Sequence, residues 1–224
     1  MKITWLGQAG LMFETGDTKI ICDPYLSNSV VKVNPKNERR YPVDERFLKI
    51  KPDVLLLTHD HLDHTDPETL PHYLNNDGSI LVLAPKNAWE LAKKFGGNHN
   101  YVMFNRHTMF SHNGIRFRAV KAEHSDLSAI GFIIEAEGRT YYITGDTLYN
   151  EEIFADLPQN IDVMFLPING VGNNMNSTDA ALFAKRVNPK IAVPLHWGLF
   201  DSIDPRCFTF ENRVIPKAYE EIPL

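Results

Sequence analysis

Thr58-His59-Asp60-His61-Leu62-Asp63-His64 sets three imidazoles and two carboxylates inside residues 59–64. The stretch follows Asp53 to Thr58, a continuous apolar run of the kind buried on both faces of a sheet. After it comes Asp66-Pro67, an N-cap residue and a first-turn proline, which predict a helix starting there. If the backbone stays extended past Thr58, His59 and His61 point to one side, because side chains alternate along a strand. Asp63 and His64 then come round on a turn. One short segment thus offers ligands to two neighbouring metal ions, and its imidazoles and carboxylates suit zinc, iron and manganese. A polar loop with surface histidines is the competing reading. It supplies no packing reason for such density just past a buried strand.

Three more strand patterns end in groups that could complete the set. Arg116 to Ala122 leads to Glu123-His124, Tyr141 to Thr144 to Gly145-Asp146, and Ile191 to Leu195 to His196-Trp197-Gly198. In α/β sheets ligands gather beyond strand ends, where loops converge. Alone, a strand-end histidine is more often structural. Beside the cluster, the expected ligands are His59, His61, Asp63, His64, His124, Asp146 and His196.

Further out, strands and helices are mixed. Strands are expected at Ile3 to Leu6, Gly10 to Glu14, Lys19 to Cys22, Ser79 to Ala84 and Val163 to Pro167. Helices are expected at Lys86 to Phe95, stopped by Gly96-Gly97, and at Thr178 to Arg186. Residues 28–46 read as a long loop, a length that is often functional. Two hairpins resemble each other: Gly10-Leu11-Met12-Phe13-Glu14 matches Gly131-Phe132-Ile133-Ile134-Glu135, and the returning strands end in Asp23 and Asp146. A duplicated α/β layer with no visible linker is the expectation, over residues 1–224 as one domain.

Composition narrows the function. A 43% hydrophobic and 23% charged chain is an ordinary globular mixture, which argues against disorder. The net charge is −5 and the longest basic runs are the pairs Arg39-Arg40 and Lys93-Lys94, so no nucleic-acid partner is expected. No apolar run approaches the ~20 residues of a membrane span, and no signal peptide is visible, which makes a cytoplasmic protein the simplest account. Cys22 and Cys207 read as two buried free thiols.

The His-x-His-x-Asp-His motif with His124, Asp146 and His196 resembles the metallo-β-lactamase superfamily. Trp5-Leu6-Gly7, Asp23-Pro24-Tyr25, Thr144-Gly145-Asp146-Thr147, Asn174 to Ala180 and Pro194-Leu195-His196 sharpen the resemblance toward the L-ascorbate-6-phosphate lactonase branch. The chain departs from it at Gln8, where many relatives have histidine, and at Trp197-Gly198. The resemblance implies a four-layer αββα sandwich with two divalent transition-metal ions at one edge, zinc first, manganese or iron next. It implies His59, His61 and His124 on one ion, Asp63, His64 and His196 on the other, and Asp146 bridging. A hydroxide shared by the ions would attack a small-molecule ester or lactone, phosphorylated or not, with Asp63 carrying the proton. A phosphodiester is the alternative substrate. A di-iron redox protein and a non-catalytic binding module are the other classes. The first commonly has glutamate where this chain has His61, and the second would have lost ligands.

Asp23, Asn174 and Trp197 are the remaining site candidates, Asp23 to orient a ligand imidazole and the other two to meet ligands or substrate. His72, His99, His107 and His112 fall outside the pattern and read as solvated or locally bonded. Arg39, Arg40, Arg106 and Arg206 read as surface residues. A homo-oligomer is compatible with the sequence.

Overall fold

Short strands, several of them apolar along their whole length, form the body of the molecule, whose computed structural model describes residues 1–75 and 78–224. The strands are β1 Lys2–Gly7, β2 Gly10–Thr15, β3 Thr18–Cys22, β4 Val54–Leu56, β5 Leu81–Ala84 and β6 Asn100–Met103. They continue with β7 Met109–His112, β8 Ile115–Lys121, β9 Ile130–Ala136, β10 Arg139–Ile143, β11 Val163–Pro167 and β12 Ile191–Leu195. The helices are α1 Leu70–Leu74, α2 Lys86–Ala92 and α3 Ser177–Val187.

Two six-stranded sheets result, ordered β1-β2-β3-β4-β5-β6 and β12-β11-β10-β9-β8-β7. In each, an antiparallel hairpin (β2–β3, β9–β10) hands over to parallel strands. The second hairpin turns on Glu137-Gly138 with φ of 52° and 72°, the left-handed pair that suits a twisted two-residue loop. Phe13, Ile20, Val54 and Leu83 from one sheet meet Phe117, Phe132, Ile134 and Phe165 from the other between the layers. Leu70, Tyr73, Leu74, Ala88 and Ala92 of α1 and α2 cover the outer face of the first sheet. Ala180, Ala181, Phe183 and Ala184 of α3 cover the second, spaced as one helical face. The architecture is the expected αββα sandwich. Among the described residues no helix is long and apolar enough to cross a membrane.

Three local expectations need correction. Helix α1 begins at Leu70, later than Asp66-Pro67, because Asp66 accepts from the Glu68 N–H and the Thr69 hydroxyl and so holds residues 66–69 as a turn. The edge strands β6 and β7 were absent from the expected set; they are short and half exposed, so their hydrophobic pattern is weak. Cys22 is buried, but Cys207 is exposed on a surface turn.

Candidate metal centre

Each site residue sits where a strand stops. β4 ends at Leu56, and Thr58 to His64 turn away past the sheet edge. β10 ends before Gly145, whose φ is +61° and whose missing side chain leaves room for Thr58: a Cβ there would stand 2.9 Å from the Thr58 Cβ. Asp23, His196 and Gln8 follow β3, β12 and β1 and all have positive φ (44°, 59° and 50°). Non-glycine residues take that conformation at roughly 1–3 kcal/mol each, and such strain collects at functional sites.

All seven expected ligands come together. His59, His61 and His124 form one group, Asp63, His64 and His196 a second, and His59, His64 and Asp146 a third; in each, one ligand atom per residue lies within 4.8 Å of the others. The rings of His59, His61 and His124 stand 4.6 to 4.7 Å apart. Asp146 lies between the first two groups. Its Oδ2 is 3.2 Å from His196 Nε2, and its Oδ1 is 3.3 Å from His64 Nε2 but not aligned for a hydrogen bond.

Almost every imidazole has a partner on its outer nitrogen. His64 Nδ1 lies 2.9 Å from Asp23 Oδ2. The Thr58 hydroxyl donates to the same oxygen at 2.6 Å, which leaves it free to accept from His59 Nδ1 at 3.0 Å. His124 Nδ1 lies 3.1 Å from the Asn173 carbonyl, and His61 Nε2 lies 3.3 Å from Ser125 Oγ. These contacts assign the inward nitrogens as Nε2 for His59, His64 and His124 and Nδ1 for His61. His59 Nε2, His64 Nε2 and Asp146 Oδ1 are buried and have no hydrogen-bond partner. Buried polar atoms are seldom left so. Inward-facing imidazole and carboxylate lone pairs are the donor set a divalent transition metal takes, so the residues fit such ions.

The electrostatics of the metal-free cluster divide it into neutral and charged members. Burial, then the neighbouring His64, pushes the His59 pKa well below its usual value, so the ring is neutral and able to ligate. Burial alone would also lower His196, but Asp146 and Asp63 outweigh it and push the pKa up to about 10. His64 is likewise raised against its own burial by Asp146, Asp23 and Asp63. Burial would raise Asp146, yet His196 and His64 hold it well below the carboxylate range.

The other candidates sort differently. Asn174 donates to Asp146 Oδ2 at 2.7 Å. Trp197 turns to the core instead: its ring packs 5.0 Å from Trp5, its Nε1 donates to the Pro194 carbonyl, and it does not line the cleft. His99 is bonded to Ile80 N and Leu74 O. Arg39 holds the Tyr25 and Ser27 carbonyls, and Arg106 pairs with Asp156. Sequence reasoning gave no role to Gln8, Thr58 or Ser125. Gln8 Nε2 donates to Asp63 Oδ2 at 2.9 Å, and its carbonyl accepts from Trp5 Nε1 and His196 N. For Thr58 and Ser125 adjacency to a candidate ligand was the signal available, and for Gln8 its place after Trp5-Leu6-Gly7.

A β-lactamase superfamily domain matches residues 2–196. A UPF0173 protein of Pyrococcus furiosus is 31% identical over 94% of this chain and 90% of its own. A UPF0173 metal-dependent hydrolase of Thermoplasma acidophilum is 31% identical over 93% and 89%. Igni18, a metallo hydrolase of Ignicoccus hospitalis, superposes with a TM-score of 0.78 over 98% of this chain and 96% of its own, at 20% identity, a likeness of fold. The chain belongs to the metallo-β-lactamase superfamily, and within it to the UPF0173 family of metal-dependent hydrolases.

Proposed function

We propose that this metal-dependent hydrolase is dinuclear and cleaves a small-molecule ester or lactone, the activity that its resemblance to the lactonase branch implies. His59, His61 and His124 would hold one ion, Asp63, His64 and His196 the other, and Asp146 both. The observation that carries this is the trio of buried, unpartnered ligand atoms, His59 Nε2, His64 Nε2 and Asp146 Oδ1, in a cluster whose outer nitrogens are matched. Bound metal supplies a nucleophile by lowering the pKa of water from 15.7 toward about 7, and a Lewis acid for the substrate's carbonyl.

The protein's part is positioning and proton transfer. Thr58 and Asp23 fix the tautomer and angle of His59 and His64 together, so one carboxylate orients an imidazole of each subsite. Burial would raise the Asp63 pKa, but His64 and His196 pull it below the usual carboxylate range, so it is ionised. Gln8 holds one oxygen of Asp63. Asp63 then takes the nucleophile's proton and returns it to the leaving oxygen.

Elemental analysis after reconstitution with zinc or manganese, paired with hydrolysis of 4-nitrophenyl acetate, tests the reading. Two ions per chain and chelator-sensitive turnover are expected. One ion per chain in metal excess would refute the dinuclear site. A fully loaded protein that cleaves neither this ester nor an unphosphorylated lactone would refute the substrate assignment.

A further inference from the structure

The cleft above the metal ligands has a volume of about 460 Å³, within the range of small-ligand pockets. Its walls beyond the ligands combine the apolar Val30, Val171 and Phe200 with the amides of Gln8, Asn34, Asn37, Asn169 and Asn174 and the carboxylate of Asp201. Two of these amides have an oxygen with no hydrogen-bond partner in the protein. Asn174 Nδ2 is committed to Asp146 Oδ2, so its Oδ1 is fixed as the free end, buried and without a partner. Asn169 Nδ2 reaches the Val171 carbonyl at 3.4 Å, and its Oδ1 is also buried and unpartnered. Asp201 Oδ1 accepts from Gly198 N and Ile203 N, which anchors its negative charge in the wall.

Among the described residues no lysine or arginine lines the cleft, and two cations near it are engaged elsewhere. Lys32 pairs with Glu68 and Arg39 with two carbonyls and the Tyr219 hydroxyl. Free acceptors and a fixed carboxylate call for hydrogen-bond donors and repel a second anion. The metal pair would meet only the group being cleaved, so the walls select the remainder of the molecule.

We propose that the part of the substrate outside the cleaved bond is uncharged and hydroxylated, and that a phosphate or carboxylate there is rejected. This rests on the hydrolase reading above and names the substrate class of that site: a polyhydroxylated lactone or ester without phosphate. In hydrolysis of the lactone the water oxygen bonds to the acyl carbon, the bond from that carbon to the ring oxygen breaks, one proton goes to the ring oxygen and the other leaves to solvent as the new acid ionises to a carboxylate. The same wall charge that excludes anionic substrates favours release of that anionic product.

The test compares glucono-1,5-lactone with its 6-phosphate on the metal-loaded protein, by kcat/KM. Calorimetric titration of the non-hydrolysable glucono-1,5-lactam and its 6-phosphate reads affinity without turnover. A preference of about tenfold or more for the unphosphorylated member of each pair is expected. Asp201→Asn keeps the Gly198 and Ile203 hydrogen bonds and removes the charge, so it should narrow both ratios by raising the 6-phosphate values. Equal values, or a preference for the 6-phosphate, would overturn the proposal while leaving the hydrolase intact. Failure to cleave either lactone or 4-nitrophenyl acetate would instead refute the ester-or-lactone assignment, with the lactam titration still deciding what the cleft binds.

Discussion

Asp23 leaves β3 and Asp146 leaves β10, the returning strands of two matching hairpins, and both carboxylates are buried. Asp23 is saturated by protein donors: Thr58 N on Oδ1, and the Thr58 hydroxyl and His64 Nδ1 on Oδ2. Asp146 receives Asn174 on Oδ2 and keeps Oδ1 without a hydrogen bond. His64 joins them, with Nδ1 toward Asp23 and Nε2 toward Asp146. The same strand-end position therefore yields an orienting group in one half and a candidate ligand in the other. The backbone amide and hydroxyl of Thr58 make the difference, because they occupy the lone pairs that Asp146 leaves open.

The largest expected effect lies on the open side. Asp146→Ala should remove detectable ester hydrolysis and leave fewer than two ions per chain by elemental analysis; retention of both ions would show that it does not join the subsites. Asp63→Asn should keep much of its metal and lose roughly 10²–10⁴ in rate, the worth of positioned acid–base catalysis. The loss should shrink for nitrophenyl against alkyl leaving groups, since good leaving groups need little protonation. Equal slowing of both at full metal loading would leave Asp63 only a ligand.

On the saturated side the effect is smaller. Asp23→Asn should lower metal affinity by about 10–100-fold, as partners of ligand imidazoles do, measured by competition with a chromogenic chelator. A loss as complete as that of Asp146→Ala would erase the contrast between the two aspartates. Thr58→Val should reproduce part of the loss, through His59 and through the hydrogen bond that the hydroxyl gives Asp23.

Proton competition gives the mildest effect. Before metal binds, His196 titrates at about 10 and stays protonated at neutral pH. Metal must displace that proton, so apparent affinity should rise with pH from 6 to 9. The metal-free fold should respond oppositely. A raised histidine pKa adds stability that is complete below about 6.5 and is lost as pH rises through about 10, so its melting temperature should fall over that window. A metal-free melting temperature that climbed from pH 7 to 10 would contradict the ion pairs drawn for His196.

The seven candidate ligands were legible because chemistry and position coincide: dense imidazoles follow an apolar strand, and the other three end strands that pattern alone reveals. The hairpin likeness between residues 10–14 and 131–135 likewise foreshadowed the paired sheets. What stayed hidden depends on contacts between distant residues. Gln8 reaches Asp63 because residues 8 and 196 are joined by a backbone hydrogen bond across the sheet ends. Trp197 follows a candidate ligand yet packs on Trp5, past a His196 of left-handed φ. Gly145 carries no chemistry; its left-handed φ and the close approach of Thr58 and the Ile130 carbonyl explain it.

Anomalous diffraction from crystals of the zinc-reconstituted protein tests the dinuclear centre most directly. The expected map has two peaks per chain, one among His59, His61 and His124 and one among Asp63, His64 and His196, with Asp146 touching both. A single peak, or two peaks with Asp146 bound to neither, would contradict it.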